Sequence, residues 1–458
     1  MTERHYINPI PFNEIEKLPV KLENVSKTDL DNLIYSITST QNSDDESVYS
    51  GSNGLQLLKI KRHYDNLLFE KNEEERRKRF GQSLHSNTLL GASLADPCLN
   101  PYTSNPENMP LPLAEYSSLN YKVSFFTGSS GHHAIELSRL MLCSTDFNLF
   151  TNNLFKLLEI SKRDRFKQDE VLYGRAGYLA SLSHVLYKYS LYKSKKLLKC
   201  LEVDSFDLYN VIKPYIKTQL FQLHKSGIEN ENSLFPIKEN YKHEHHLLYY
   251  DWHNKCYLGA AHGIAGILQI MLGVNNLYYK YNNSNLFLEV EKEYTLTANS
   301  IFLSISATTA YVMSEYSFCS GNIMASLESK SDKLVHWCHG APGWITLCLQ
   351  LSKIETAKNM AKVIWERGLL RKGLGLCHGI PGNAYCFLQL YKHTNDDLWL
   401  KAAIYFAKFA IEKIPELKDV PDRPNSLYEG IAGLAYFLTE LEDPMNSSYM
   451  PGLEVAGT

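Results

Sequence analysis

Apolar residues recur at helical spacing along most of the chain. Ile264, Ile267, Leu268 and Met271 follow a third-and-fourth pattern, as do Ile431, Leu434, Ala435 and Leu438, and Leu179, Leu182 and Leu186. An amphipathic helix repeats its apolar face with that period, whereas a half-buried strand alternates every second residue. Such alternation is scarce here. Between the apolar runs lie segments with one solvated face: Leu398 to Ile414 groups Ile404, Ala407 and Ile411 together, and Glu73, Glu74 and Glu75 stand four residues before Arg77, Lys78 and Arg79. The pattern predicts an all-α protein.

A G-x-x-G unit opens the apolar run at Gly51, Gly128, Gly174, Gly263, Gly340, Gly379 and Gly430, with spacings of 77, 46, 89, 77, 39 and 51 residues. Each spacing accommodates one helix, a return helix and their loops at about 1.5 Å rise per residue, so each unit reads as a helical hairpin. Glycine at a helix start lets two backbones approach closely and turns N–H groups toward a shared space. Seven such turns gathered at one end describe a closed ring around a central cavity, and hence a single domain over 1–458. Two stretches read as surface insertions. Ile37 to Asn53 is rich in Ser, Thr, Asn and Asp and reads as a flexible segment, and Gly81 to Glu115 carries Pro97, Pro101, Pro106, Pro110 and Pro112, which no helix interior accepts.

Composition narrows the function. Forty-seven Lys plus Arg against 50 Asp plus Glu leave a formal charge of -3 over 458 residues, which offers no basic field for a phosphate backbone. Nucleic acid is not an expected partner. Met1 to Lys21 carries charges throughout and no apolar run, Thr2 excludes N-myristoylation, and the most apolar stretch, Leu258 to Val274, is too short and too polar to span a bilayer. The expectation is a cytoplasmic protein whose only membrane association would be peripheral, at the plasma membrane. Nine cysteines, an odd number without a secretory leader, argue for free or metal-bound thiols and against a disulfide framework.

Cysteine and histidine concentrate beside three of the late turns: GAAHGIAG (259–266), HWCHGAPG (336–343) and LCHGIPG (376–382). Zinc prefers thiolate and imidazole, and a catalytic site uses three protein ligands and leaves a fourth position open. Cys338, Cys377 and His378 would supply such a set, meeting by tertiary folding because the two Cys-His-Gly units are 39 residues apart. Two thiolates would neutralise the ion's charge and let a third, from substrate, bind while keeping nucleophilicity. The competing reading makes both cysteines small buried hydrophobes. His339 reads as a fourth ligand, a proton donor or a group orienting a ligand.

The units YLGAAHGIAGI, LVHWCHGAPG, KGLGLCHGIPGNAY and PDRPNSLYEGIAGLAYFL, with VLYGRAGY and the N-terminal RHYINPIPF, resemble the eukaryotic LanC-like proteins, relatives of the bacterial lantibiotic cyclases. The resemblance runs from Arg4 to about Leu438. It implies an (α/α)7 double toroid of seven inner and seven outer helices with one zinc ion at Cys338, Cys377 and His378. It further implies that His262 is a general acid/base, that Glu170 stands where bacterial cyclases have a catalytic Asp, and that Arg4 and Lys372 hold glutathione.

The activity the resemblance implies is a zinc-dependent transfer of glutathione's thiol onto dehydroalanine or dehydrobutyrine in peptides or proteins. His262 has independent chemical support, since an imidazole at a cavity-facing turn titrates near neutral pH and can protonate an enolate carbon. The alternative is a zinc- and glutathione-binding scaffold for signalling proteins. A glycosidase on an α/α ring would need two carboxylates across the cavity, for which Asp251 and Glu429 are the available pair.

Overall fold

The second glycine of each G-x-x-G unit lies against the chain six residues upstream. A Cβ on Gly266 would sit 2.0 Å from the carbonyl oxygen of Ala260, and one on Gly382 would sit 2.0 Å from that of Leu376. No side chain tolerates that approach, so the loop folds back over the first helical turn only because glycine is there. Proline reinforces two of the starts, Pro342 and Pro381, in the first turn where a backbone N–H has no intrahelical partner anyway.

These turns launch seven helices: α2 (Ser52–Leu84), α3 (Ser129–Cys143), α5 (Arg175–Ser194), α7 (Ile264–Asn282), α9 (Pro342–Gln350), α11 (Ile380–Thr394) and α14 (Ile431–Glu440). In the computed structural model, which describes residues 4–22, 25–39, 45–84, 122–162, 166, 168–200, 206–234, 245–282, 287–289 and 295–454, each packs on the next and α14 closes on α2. Outside them lie α1 (Lys27–Ser39), α4 (Phe147–Glu159), α6 (Leu208–Leu234), α8 (Ala298–Glu315), α10 (Ile354–Arg367) and α12 (Asp397–Glu412). Several inner helices are buried nearly all round, with every residue of α11 from Ile380 to Leu390 buried, while the outer ones bury one stripe, such as Phe150, Leu154, Leu157 and Leu158 of α4.

The all-α ring expected from the glycine periodicity, and the double toroid that the resemblance implies, are therefore the fold. Six outer helices are seen among the described residues; residues 85–121, between α2 and α3, lie outside them. The helix α13 (Ile414–Leu417) is a single turn, and β1 (Phe287–Glu289) and β2 (Thr295–Thr297) form a two-stranded antiparallel ribbon before α8. No helix among the described residues is long and apolar enough to cross a membrane.

The loop segment expected over Ile37 to Asn53 is only partly a loop. Ile37 to Ser39 complete α1, and the described part from Asp45 onward folds into the first turn of the ring, with Val48 buried and Asp45 accepting from Ser47 N and Ser50 Oγ at 2.8 and 2.6 Å. Short polar side chains here satisfy a turn's backbone, which is why their density misread as an insertion. Residues 81–84 of the expected Pro-rich insertion extend α2, and 85–115 lie outside the described residues.

Neighbouring turns are laced by backbone hydrogen bonds around the ring. Cys338 N donates to Cys377 O at 3.4 Å, Cys377 N to Tyr428 O at 2.8 Å, Tyr428 N to Tyr49 O at 3.1 Å and Tyr49 N to Phe126 O at 2.9 Å. Phe125 N reaches Gly177 O at 2.8 Å, and Ala260 N reaches Trp337 O at 3.3 Å. The cysteines, 39 residues apart in sequence, thereby become ring neighbours. At the other end the chain from Ser447 to Glu454 is buried: Ser448 N and Oγ donate to Glu440, the Tyr428 hydroxyl donates to Pro451 O, and Glu454 bonds His184 at 3.1 Å.

Burial of histidine makes the fold acid-sensitive. Desolvation, helped by the neighbouring His133, pushes His132 from its ordinary 6.5 down to about 3, and desolvation with His246 pushes His224 down to about 4. The folded chain then takes up these protons only well below the unfolded value. Stability is full above about pH 7 and is lost as the pH falls through about 6.5. Metal-free protein is expected to lose about 2 kcal/mol from each histidine between pH 7 and pH 5. Denaturant titrations giving the same unfolding free energy at both pH values would contradict this.

Candidate functional site

The repeat register determines which side chains meet. Two residues before the first glycine stand Tyr49, Phe126, Leu172, Ala261, Cys338, Cys377 and Tyr428, and one residue before it stand, among others, His262, His339 and His378. Tyr49, Leu172, Ala261, both cysteines and all three histidines line one cavity of about 250 Å³ at the mouth of the ring, completed by Leu334, His336 and Lys372.

Cys338 Sγ, Cys377 Sγ and a ring nitrogen of His378 all lie within 4.8 Å of one another. Zinc bonds of about 2.0 to 2.3 Å in a tetrahedron require ligand atoms roughly 3 to 4 Å apart, so this donor set fits such an ion in number, chemistry and spacing. The electrostatics agree. Hydrogen bonding from the Cys377 thiol, together with His336 and His378, draws the Cys338 thiol well below its ordinary value, while burial and the adjacent Cys338 sulfur hold the Cys377 thiol well up. Two thiolates side by side repel, and a dication between them is what permits both to ionise. His336 Nδ1 stands 4.0 Å from Cys338 Sγ. Burial, then the two cysteines, push the Tyr49 phenol well up, so it remains a donor toward Cys377.

His262 is held on two sides. Its Nδ1 lies 2.9 Å from Glu170 Oε2, and its ring stacks on Trp252 with centroids 3.9 Å apart and planes 4° from parallel. Trp252 is itself pinned by an indole N–H donated to Gln168 Oε1 at 2.8 Å. Glu170, 1 % exposed, also accepts from the backbone N–H groups of Leu172 and Tyr173 at 2.8 and 2.5 Å. A carboxylate on Nδ1 sets the tautomer and leaves Nε2 for a reacting proton.

The other expected residues divide. Lys372 is exposed and lines the cavity. Arg4 is also exposed and is not among the residues lining it; the N-terminal chain is brought beside Lys372 by backbone pairing, Arg371 N to Arg4 O at 3.1 Å and Tyr6 N to Leu369 O at 2.7 Å. His339 lines the cavity with its Nδ1 lacking a hydrogen-bond partner among the described residues. Asp251 and Glu429 are not cavity-lining, which removes the basis for the glycosidase reading. Sequence reasoning passed over Tyr49, His336 and Trp252. The first was legible from its place two residues before Gly51, the position that Cys338 and Cys377 occupy in their own repeats. His336 was visible in HWCHG, whereas nothing in the sequence marked Trp252.

Comparisons with known proteins concern the chain as a whole. Residues 92–455 match the model of the lanthionine synthetase C-like protein family. The glutathione S-transferase LANCL1 of Danio rerio is 34% identical over 294 residues, 63% of this chain and 62% of that protein. The LanC-like protein GCL1 of Arabidopsis thaliana is 31% identical over 225 residues, 46% of this chain and 47% of its own length. The matched stretches thus span about three-fifths and about half of these relatives. The solved structure of nisin cyclase superimposes with a TM-score of 0.54 at 15% identity, covering 93% of this chain and 96% of the cyclase, a likeness of fold. With its family model matched over most of its length and its helices closed into the same toroid, the chain belongs to the lanthionine synthetase C-like family.

Proposed function

We propose that this protein is a zinc-dependent glutathione transferase that adds the glutathione thiol to dehydroalanine or dehydrobutyrine residues of peptides or proteins. The observation that carries the reading is that a Cys2His donor set and a carboxylate-oriented histidine line one cavity. The similarity to a protein named glutathione S-transferase supports it.

Cys338, Cys377 and His378 would hold the zinc ion, which when bound stabilises the glutathione sulfur as a thiolate. The chain's own groups do the rest. Lys372 at the rim, with Arg4 near it on the paired N-terminal chain, attracts the carboxylates of the tripeptide. The sulfur forms a bond to the β-carbon of the dehydroamino acid as the π-electron pair moves onto the α-carbon and carbonyl. His262, held by Glu170 and Trp252, delivers a proton to the α-carbon, giving a saturated thioether. His339 is within the same cavity to donate to the substrate carbonyl as negative charge develops there.

The test is direct. Purified zinc-loaded protein, glutathione and a dehydroalanine peptide are expected to give a product heavier by one glutathione, read by mass spectrometry. Metal-loaded, folded protein that binds glutathione and yields no adduct with dehydroalanine or dehydrobutyrine peptides would replace the enzyme by the scaffold reading, in which signalling proteins are the partners.

A further inference from the structure

The inner helices run away from the cysteine turns, and toward their C-terminal ends the protein holds a second and larger cavity. It encloses about 920 Å³, against about 250 Å³ at the cysteine end, and is walled by α2, α5, α14 and the chain from Met445 to Tyr449. Lysines and carboxylates both line it, among them Lys61, Lys188, Lys392, Asp65 and Glu440. Two of the lysines there have close partners of their own. Lys61 Nζ is 2.7 Å from each carboxylate oxygen of Asp65, and Lys392 Nζ donates to the Ser447 carbonyl at 2.8 Å.

Lys188 has none so close. The residue is 3 % exposed, lines the cavity, and donates no hydrogen bond to any described residue. Among those residues its one carboxylate neighbour within 4.0 Å is Glu454 Oε1, at 3.9 Å, and that oxygen has no hydrogen-bond partner either. An ammonium has three donors, and burying it without acceptors is costly in a way that a Leu or Met at the same place would avoid. The same cavity is lined by Glu440, 2 % exposed and using one lone pair of each oxygen on Ser448, and by Asp65, already paired with Lys61. Both signs of charge therefore face one space. A bare anion drawn to Lys188 would also meet the Glu440 carboxylate, whereas a molecule with its own ammonium could pair with both signs of charge.

We infer that this cavity binds a small zwitterion of the amino-acid or short-peptide class, its carboxylate on the Lys188 ammonium and its ammonium toward Glu440 and Asp65. The site is separate from the cysteine cavity, and the proposal stands whether or not the protein is a transferase. Burial lowers the Lys188 pKa, which also makes its amine open to acylation when the cavity is empty.

Calorimetry on the full chain with γ-aminobutyrate, whose separated charges chelate metal poorly, and with butyrate, which lacks the amine, tests this. Saturable binding of γ-aminobutyrate is expected, at least about tenfold tighter than butyrate. Lys188→Met should lose it by about tenfold or more while metal content stays unchanged. In the unaltered protein, γ-aminobutyrate should protect Lys188 from an amine-acylating reagent, read on its peptide by mass spectrometry. Absence of binding, equal binding of butyrate, or undiminished acylation of Lys188 at saturation would each overturn the proposal. The acylation arm decides the matter if the Met variant does not fold.

Discussion

Cys377→Ala is expected to leave a folded protein that no longer retains zinc. A three-ligand site reduced to one cysteine and one histidine keeps too few donors, and zinc content should fall from about one ion per chain to under about a tenth after dialysis. The same holds for Cys338→Ala. Bound metal stabilises only the folded state, so chelation should lower the melting temperature of the unaltered protein and leave either variant unmoved. Small buried side chains in both turns make Ala a mild replacement for packing, with Cys338 8 % and Cys377 2 % exposed. Full metal occupancy in either variant, measured by mass spectrometry, would sink the assignment of the ion to these cysteines.

His262→Ala is expected to keep zinc and glutathione binding and to lose the addition by about 10²- to 10⁴-fold, the contribution of a positioned general acid or base. The ligand set is intact in this variant, so metal loss would instead make His262 a ligand. Glu170→Gln adds a readout that packing alone would not move. The amide preserves the size of the group beside Nδ1 but removes the charge that supports an imidazolium, so the rate should fall by about tenfold or more and the falling limb of its pH profile, where the donor loses its proton, should move to lower pH. A stable, metal-loaded His262→Ala protein with undiminished rate would end the proton-donor role.

Much of this was legible in the chain. The seven glycine units and the third-and-fourth apolar spacing led to a closed ring of helical hairpins, because a repeated helix start that admits no Cβ, opening an apolar helical face each time, gathers like turns at one end. The duplicated Cys-His-Gly likewise pointed to the ligand set, since the same register in two repeats puts like residues at like places. Reading that register through all seven copies would have added Tyr49. Misreading began where composition stood in for geometry: the polar run before Gly51 was taken as a loop, yet Asp45, Ser47 and Ser50 are short side chains that close a turn.

What the sequence by itself determined is therefore local and periodic: helices, their starting turns, and the positions within each turn that carry cysteine and histidine. Only the tertiary structure decided which turns are neighbours and how the groups between them are oriented. Ring closure, with Cys338 N bonded to Cys377 O, brings the two sulfurs together across 39 residues of sequence. The stack of Trp252 on His262, the Glu170 contact 92 residues away, and the meeting of Lys188 and Glu440 in one cavity depend on the rotation of one helix against another. That rotation is set by packing summed over the whole ring, so no short stretch of sequence contains it.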